Sequence, residues 1–454
     1  MRGRHLQSGG AVGLLYASGS MIDRAAICFG IACASLGLAC TGDDHKVEFS
    51  PAEIAKIEEL SPAPTAIDDT TNKHSKDPAA VDLGHRLFFD AGYSGPVVVA
   101  DDGMNGGLGA VGETGKVSCR SCHLGDWLVD TRSQPNGTSL GVDWFIRNAP
   151  TLVNVATYDE QFGWVGYCDN LWGKVLIPAE FVMGTTRTGI VRYLFDNYRD
   201  DFDAIFDVPL DEGIADEARF PLAATPLDPE SPWAEMDPAD QAIINQAFAN
   251  FGKAIAAYLS ELISGDSDFD RFVAGDKIAL SESAKRGLRL FLGKAACVEC
   301  HEGPTFSDEK FHVTGIPQVG EHVVPAPAYD DGRLGAVDIY LGWDFNTAGP
   351  YNDDSSIDHT QGVEKDPALN GAFRTKGLRN VAKTAPYMHT GHIETLREVV
   401  ELYNRGGADS DFAGEKDPLI VPLNLSDQEI DDLVAFMGSL TGESVPAEWL
   451  VDPN

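Results

Sequence analysis

The chain has 454 residues, more than one hydrophobic core ordinarily serves, so two domains are expected. With 43% hydrophobic and 23% charged residues it is globular rather than disordered. Acidic side chains outnumber basic ones 70 to 34, a formal charge of -36; that excludes nucleic acid as a partner and suits a soluble acid-rich protein or one that docks a basic partner.

Met21-Ile22-Asp23-Arg24 leads into an apolar run from Ala25 to Ala39, too short to span a bilayer but right for the core of an export signal. Residues 1–40 are read as a signal peptide, and the mature protein is expected in the periplasm or cell envelope. The small residues before Cys40 resemble a lipoprotein cleavage site, which would make Cys40 a lipid anchor. Residues 41–78 are polar and read as a linker with a short helix near Pro51–Leu60. Asp82–Phe89 opens a first helical core, and a Gly-rich stretch, 103–115, follows. Asn148–Met183 lacks periodicity and is expected as loops. Asp207–Asp240, rich in Pro and acid, reads as a surface excursion. From Pro238, residues Ile244, Phe248, Phe251, Ile255, Tyr258 and Leu262 recur at three- and four-residue steps, the buried stripe of an amphipathic helix. Gly265–Asp276 is a natural boundary, dividing an N-terminal domain (79–265) from a C-terminal one (266–454). Glu321–Ala368 reads as a long loop, and Leu396–Leu402 and Ser426–Leu440 as helices. Strand signals are weak, so the fold is expected to be mainly α.

Eight cysteines are present. Cys28, Cys33 and Cys40 fall in the export segment and Cys168 stands alone, so disulfides do not hold the mature protein together. The other four form Cys119-Arg120-Ser121-Cys122-His123 and Cys297-Val298-Glu299-Cys300-His301. Two thiols on one turn can add across the two vinyl groups of a single haem, and the adjacent histidine then ligates its iron. Structural zinc would require the cysteine pairs to converge and leaves the following histidine unexplained twice. Leu87-Phe88 precedes the first motif and Leu290-Phe291 the second, a crude internal repeat. Two cytochrome c-like domains follow, each with one covalently bound c-type haem. The ligand opposite each histidine then decides between electron transfer and an open, reactive iron.

Beyond these motifs the sequence resembles the bacterial di-haem cytochrome c peroxidase and MauG family over most of residues 79–440. The resemblance rests on LGHRLFF (83–89), RNAPTLVN (147–154), FANFGKAIAAYLSELIS (248–264), GLRLFLGKAACVECHEGPTFSD (287–308) and FRTKGLRNVAKTAPYMHTG (373–391). It implies hydrogen peroxide as substrate at the N-terminal haem. Electrons would pass through the C-terminal haem, from a small electron-donor protein or from residues of a protein substrate. Tyr403 falls where the peroxidases carry a distal methionine on the C-terminal haem; tyrosine is the MauG-type choice and stabilises ferric and higher oxidation states. The family's inter-haem tryptophan falls at Trp164. Its calcium ion would take the Asn148 side chain and the carbonyls of Thr384 and Pro386, hard oxygen donors that suit Ca²⁺.

The first haem departs from the pattern. Val142 stands where a displaceable distal histidine is expected, which implies a permanently open iron. The acid–base glutamine position is Lys174, and the glutamate position falls at Val182, or at Glu180 if the stretch is gapped. Lys174 is open to three readings: a base or cation at the open face, an iron ligand, or a surface side chain. His312 and His389 match histidines near the second haem and are read as structural or propionate-contacting. The competing reading is a non-catalytic di-haem electron carrier or haem-based sensor.

Overall fold

Most of the α-helices among the described residues start on a side-chain cap; those at Arg199–Ile205 and Arg333–Gly342 do not. The computed structural model describes residues 46–99, 108–132, 137–320, 322, 330–408 and 414–454; the signal-peptide and Cys40 anchor readings lie outside them. Helix α1 (Pro51–Glu59) opens on a capping box between Ser50 and Glu53. Asp77 caps α2 (Pro78–Phe89) with proline in the first turn, and Asp237 does the same for α6 (Pro238–Leu259). Between them run α3 (Leu171–Phe181), α4 (Arg187–Asn197) and α5 (Arg199–Ile205). The second half holds α7 (Asp268–Val273), α8 (Glu282–Leu292), α9 (Arg333–Gly342), α10 (Leu396–Asn404) and α11 (Asp427–Gly438). Among the described residues the strands amount to one antiparallel pair, Phe311–His312 against Phe373–Arg374. The protein is mainly α, as expected.

Among the described residues two large hydrophobic cores form, with three small clusters beside them. The first packs α2, α3, α4 and α6 together, and every residue of the Ile244-to-Leu262 stripe is buried in it. Each such side chain contributes roughly 1.5–3 kcal/mol. The second joins α8, α10 and α11 to Ile57 and Leu60 at the end of α1. In both, the helix before the cysteine motif crosses a partner at close range. A Cβ at Gly84 of α2 would lie 1.9 Å from the Ala254 carbonyl oxygen on α6. One at Gly287 of α8 would lie 1.9 Å from that of Asp432 on α11. Only a residue without a side chain admits either crossing.

Two loop expectations need correction. Asn148–Met183 is not all loop: α3 occupies 171–181, hidden from periodicity because it is apolar nearly all round, with Pro178 inside it. The 265–276 stretch, read as a boundary, holds α7, whose Phe269 is fully buried in the second core; that is an addition and leaves the boundary itself unaltered. Within the expected 321–368 loop lies α9. The 207–240 excursion is anchored by the buried Leu210, Ile214 and Phe220.

Candidate active site

Each Cys-x-x-Cys-His motif forms one tight turn. The His123 N–H donates to the Cys119 carbonyl at 3.1 Å, and that of His301 to Cys297 at 2.9 Å. Five residues after each histidine the chain enters the left-handed region, at Leu128 (φ +47°) and Phe306 (φ +55°). There the carbonyls of Leu128 and Phe306 each meet the histidine Nδ1 at 3.0 Å. A carbonyl accepts only, so Nδ1 carries the proton and Nε2 keeps its lone pair for a metal. Burial pushes His123 down to about 4 and also lowers His301, so both imidazoles are neutral, ligand-competent bases at ordinary pH.

Both motifs line one cavity of about 430 Å³, with walls of mainly apolar side chains. All four thiols are free, and burial pushes Cys119 and Cys300 up to about 11 and Cys122 and Cys297 to about 12. Among the described residues, three metal-type donors converge within 4.8 Å at Cys300, Asp308 and His312 alone, so the cysteine pairs do not come together as zinc requires. His312 is moreover already committed: its Nδ1 lies 2.7 Å from Asp417 and its Nε2 2.9 Å from Asp308. Free thiols, a neutral histidine and an apolar wall at each motif fit a covalent c-type haem.

The cavity also brings together Trp164, Lys174, Asn148, Thr384, Pro386, His389 and Tyr403. Trp164 donates its indole N–H to the Asn148 carbonyl at 2.8 Å and stands edge-on to His389. Asn148 spends its Nδ2 on the carbonyls of Asp130 (3.2 Å) and Gly137 (2.6 Å). Tyr403, on α10, is half-buried in the cavity wall, and desolvation pushes its phenol up to about 12. His389 is stacked on Phe373 with ring centroids 3.7 Å apart, pushed down to about 3 by burial, and its Nε2 has no partner among the described residues. Lys174, half-buried in the cavity wall, donates to the Tyr167 hydroxyl at 3.0 Å.

Glu180 is the exception, and the gapped placement is corrected. Its carboxylate lies outside the cavity wall, bonded to Arg187 at 3.0 and 3.3 Å and to the Thr225 hydroxyl at 3.1 Å. Helical geometry explains this. Lys174, Pro178 and Val182 follow at four-residue steps on one side of α3 and its C-terminal end, and all three line the cavity. Position 180 is turned away from that face. Val142 is buried beside Gly184 but does not line the cavity.

Three further side chains escaped the sequence reading. Lys376 donates to the Gly163 carbonyl at 2.9 Å and lies 4.6 Å from the Trp164 ring centroid, with burial holding its amine well below its usual value. Tyr167 is the acceptor for Lys174. Arg333 bonds the carbonyls of Val165 and Gly166 from the other side of the chain. Lys376 stood within one of the quoted stretches, and Tyr167 ends Trp164-Val165-Gly166-Tyr167, where the family pattern has Trp-Asp-Gly-Arg; nothing in local sequence marked Arg333.

The family model for di-haem cytochrome c peroxidase matches residues 78–278. Cytochrome-c peroxidase IdrP1 of Denitromonas iodatirespirans is 33% identical over 402 residues, 85% of this chain and 87% of that protein. IdrP1 of Pseudomonas sp. (strain SCT) is 31% identical over 433 residues, 93% and 94% of the two chains. Among solved structures, a MauG-like protein associated with microbial copper homeostasis superposes with a TM-score of 0.57 at 26% identity, covering 87% of this chain and 97% of that one. With two haem-attachment motifs opening into one cavity, the chain belongs to the di-haem cytochrome c peroxidase and MauG family and is an oxidoreductase of that kind.

Proposed function

We propose that the protein reduces hydrogen peroxide at the His123 site, with electrons delivered through the His301 site and Trp164. The observation that carries this reading is the shared cavity: both histidines, Trp164 and Tyr403 line one space. When bound, each haem supplies a redox-active iron. The chain's own contributions are separable. His123 and His301 present Nε2 as ligand, fixed by their Nδ1 bonds to Leu128 and Phe306. Tyr403 closes the His301 site, whereas the wall near α3 offers Pro178 and Val182 and leaves the His123 site open. Trp164 is held between them by Asn148 and relays charge through its extended ring. Asn148, Thr384 and Pro386 present oxygen donors for a calcium ion.

In this reading residues 79–265 and 266–454 are two cytochrome c-like domains, and the protein works in the periplasm or cell envelope after export, with Cys40 as the lipid-anchor position. Tyr403 favours oxidation of residues on a partner protein over turnover of a small electron donor. Adding hydrogen peroxide to the diferric protein tests the reading. A prompt optical change with consumption of a reductant, and one high-spin haem by electron paramagnetic resonance, are expected. A spectrum unchanged over minutes overturns it and leaves an electron carrier or sensor. Two low-spin haems would instead make Lys174 an iron ligand.

A further inference from the structure

The peroxide face needs a proton donor, and the expected carboxylate does not supply one: Glu180 is paired with Arg187 behind α3, and the forward-facing position is Val182. Two polar side chains, Lys174 and Tyr167, stand in the same cavity wall. His123 lines that cavity too, and Lys174 lies on the face of α3 that also turns Pro178 and Val182 into it. Its Nζ donates to the Tyr167 hydroxyl at 3.0 Å and lies 4.7 Å from that ring's centroid. Lys174 thereby occupies the acceptor side of the phenol and leaves the O–H hydrogen to be donated elsewhere.

The phenol is also firmly placed. The loop that carries it closes through a Phe162 N–H to Cys168 carbonyl bond of 3.1 Å. Arg333, buried and stacked 4.3 Å over Phe311, donates to the carbonyls of Gly166 and Val165 and, at 3.3 Å, to Gln161 Oε1. A donor fixed before the reaction loses nothing to reorganisation when charge develops.

We propose that Tyr167, backed by Lys174, is the proton donor at the peroxide-binding face of the His123 site. The proposal rests on the peroxide-reducing function given above. Conversion of one hydrogen peroxide to two waters breaks the O–O bond and consumes two electrons and two protons. The reductant of the peroxidase activity provides the electrons. Tyr167 gives a proton to the departing hydroxyl oxygen, which leaves as water. The Lys174 N–H holds the resulting phenolate until solvent returns its proton, and the second proton reaches the remaining oxygen from solvent. Tyr167 thus does the work expected of the missing glutamate, from the loop that also carries Trp164.

Fluoride, an anion that binds open ferric haem and accepts hydrogen bonds, tests this without turnover. In diferric holoprotein at fixed pH, Tyr167→Phe should weaken fluoride binding about tenfold, the loss of one hydrogen bond to a charged group. It should slow the reaction with peroxide roughly a hundredfold, as removal of a general acid does. Lys174→Met, which keeps the phenol but removes its backing, should show smaller losses of both. Haem content and helicity must match the wild type in each variant. If Tyr167→Phe binds fluoride and reacts with peroxide like the wild type, the proposal is wrong while peroxide reduction stands. If the wild type itself does not react with peroxide, both fall.

Discussion

Trp164 donates its indole N–H to the carbonyl oxygen of Asn148 at 2.8 Å, and the Asn148 N–H in turn donates to the His389 carbonyl at 2.7 Å. The ring is therefore held on its edge by the RNAP segment and the TAPYMHTG segment together, while Lys376 lies over its face. This fixation gives a relay residue a definite orientation. Trp164→Phe should retain both haem spectra and lower steady-state peroxide turnover with an electron donor by on the order of tenfold or more. Equal turnover in the variant would remove Trp164 from the electron path.

Tyr403 has a phenol pushed up to about 12 by burial, so without a metal it stays protonated. Ligation of ferric iron therefore has to release that proton. Tyr403→Phe should change the absorption and paramagnetic resonance of one haem, the low-spin one, and leave the fluoride-binding haem untouched. No spectral change in the variant would exclude Tyr403 as a ligand.

His312 sits between two carboxylates. The hydrogen bond to Asp308 and that to Asp417 raise it above its ordinary 6.5. Asp308, although burial pushes it up, is drawn down to about 2 by His312 and neighbouring donors. A raised histidine contributes stability that is complete below pH 6.5 and is lost as pH climbs through its folded-state value. The Asp308 share is present above about 3.8 and is lost as pH falls toward 2. His312→Gln should accordingly cost roughly 1–3 kcal/mol at pH 6 and clearly less at pH 9. Urea denaturation of both proteins at the two pH values measures this, and a cost independent of pH would refute the charged bridge.

Glu180 belongs to the scaffold. Replacing it with Gln leaves the Arg187 guanidinium buried against Phe248 and Trp233 without its counter-charge, at a cost of about 3 kcal/mol or more. The rate of reaction with peroxide per folded haem should stay within about twofold of wild type, since general acid–base groups act at hydrogen-bonding range of the reacting atoms. Stopped-flow and thermal melts on one preparation separate the two effects. A large kinetic loss at unchanged stability would return Glu180 to the site.

What the sequence disclosed divides by distance along the chain. The haem motifs were readable because the chemistry is completed within five residues. The stripe on α6 was readable because one face is buried and the other is not. Helix α3 was missed because it packs on nearly every side and so carries no stripe. Glu180 was misplaced because admitting a gap ignored the angular step of the helix, which alone puts Lys174, Pro178 and Val182 on one side. The Lys174–Tyr167 and Arg333–Gly166 contacts join a loop to separate helices, and no local pattern announces such a meeting.

The left-handed turns at Leu128 and Phe306 carry a last implication. At each haem site the imidazole is oriented by a main-chain oxygen, and a main-chain oxygen is present whatever amino acid the gene encodes. Substitution at 128 or 306 can strain the turn by about 1–3 kcal/mol, but it cannot delete the acceptor. The proximal ligands are thus buffered against point mutation in a way that a carboxylate-held histidine is not. Genetic drift can abolish either ligand outright, yet it has no single-step route to turning one over.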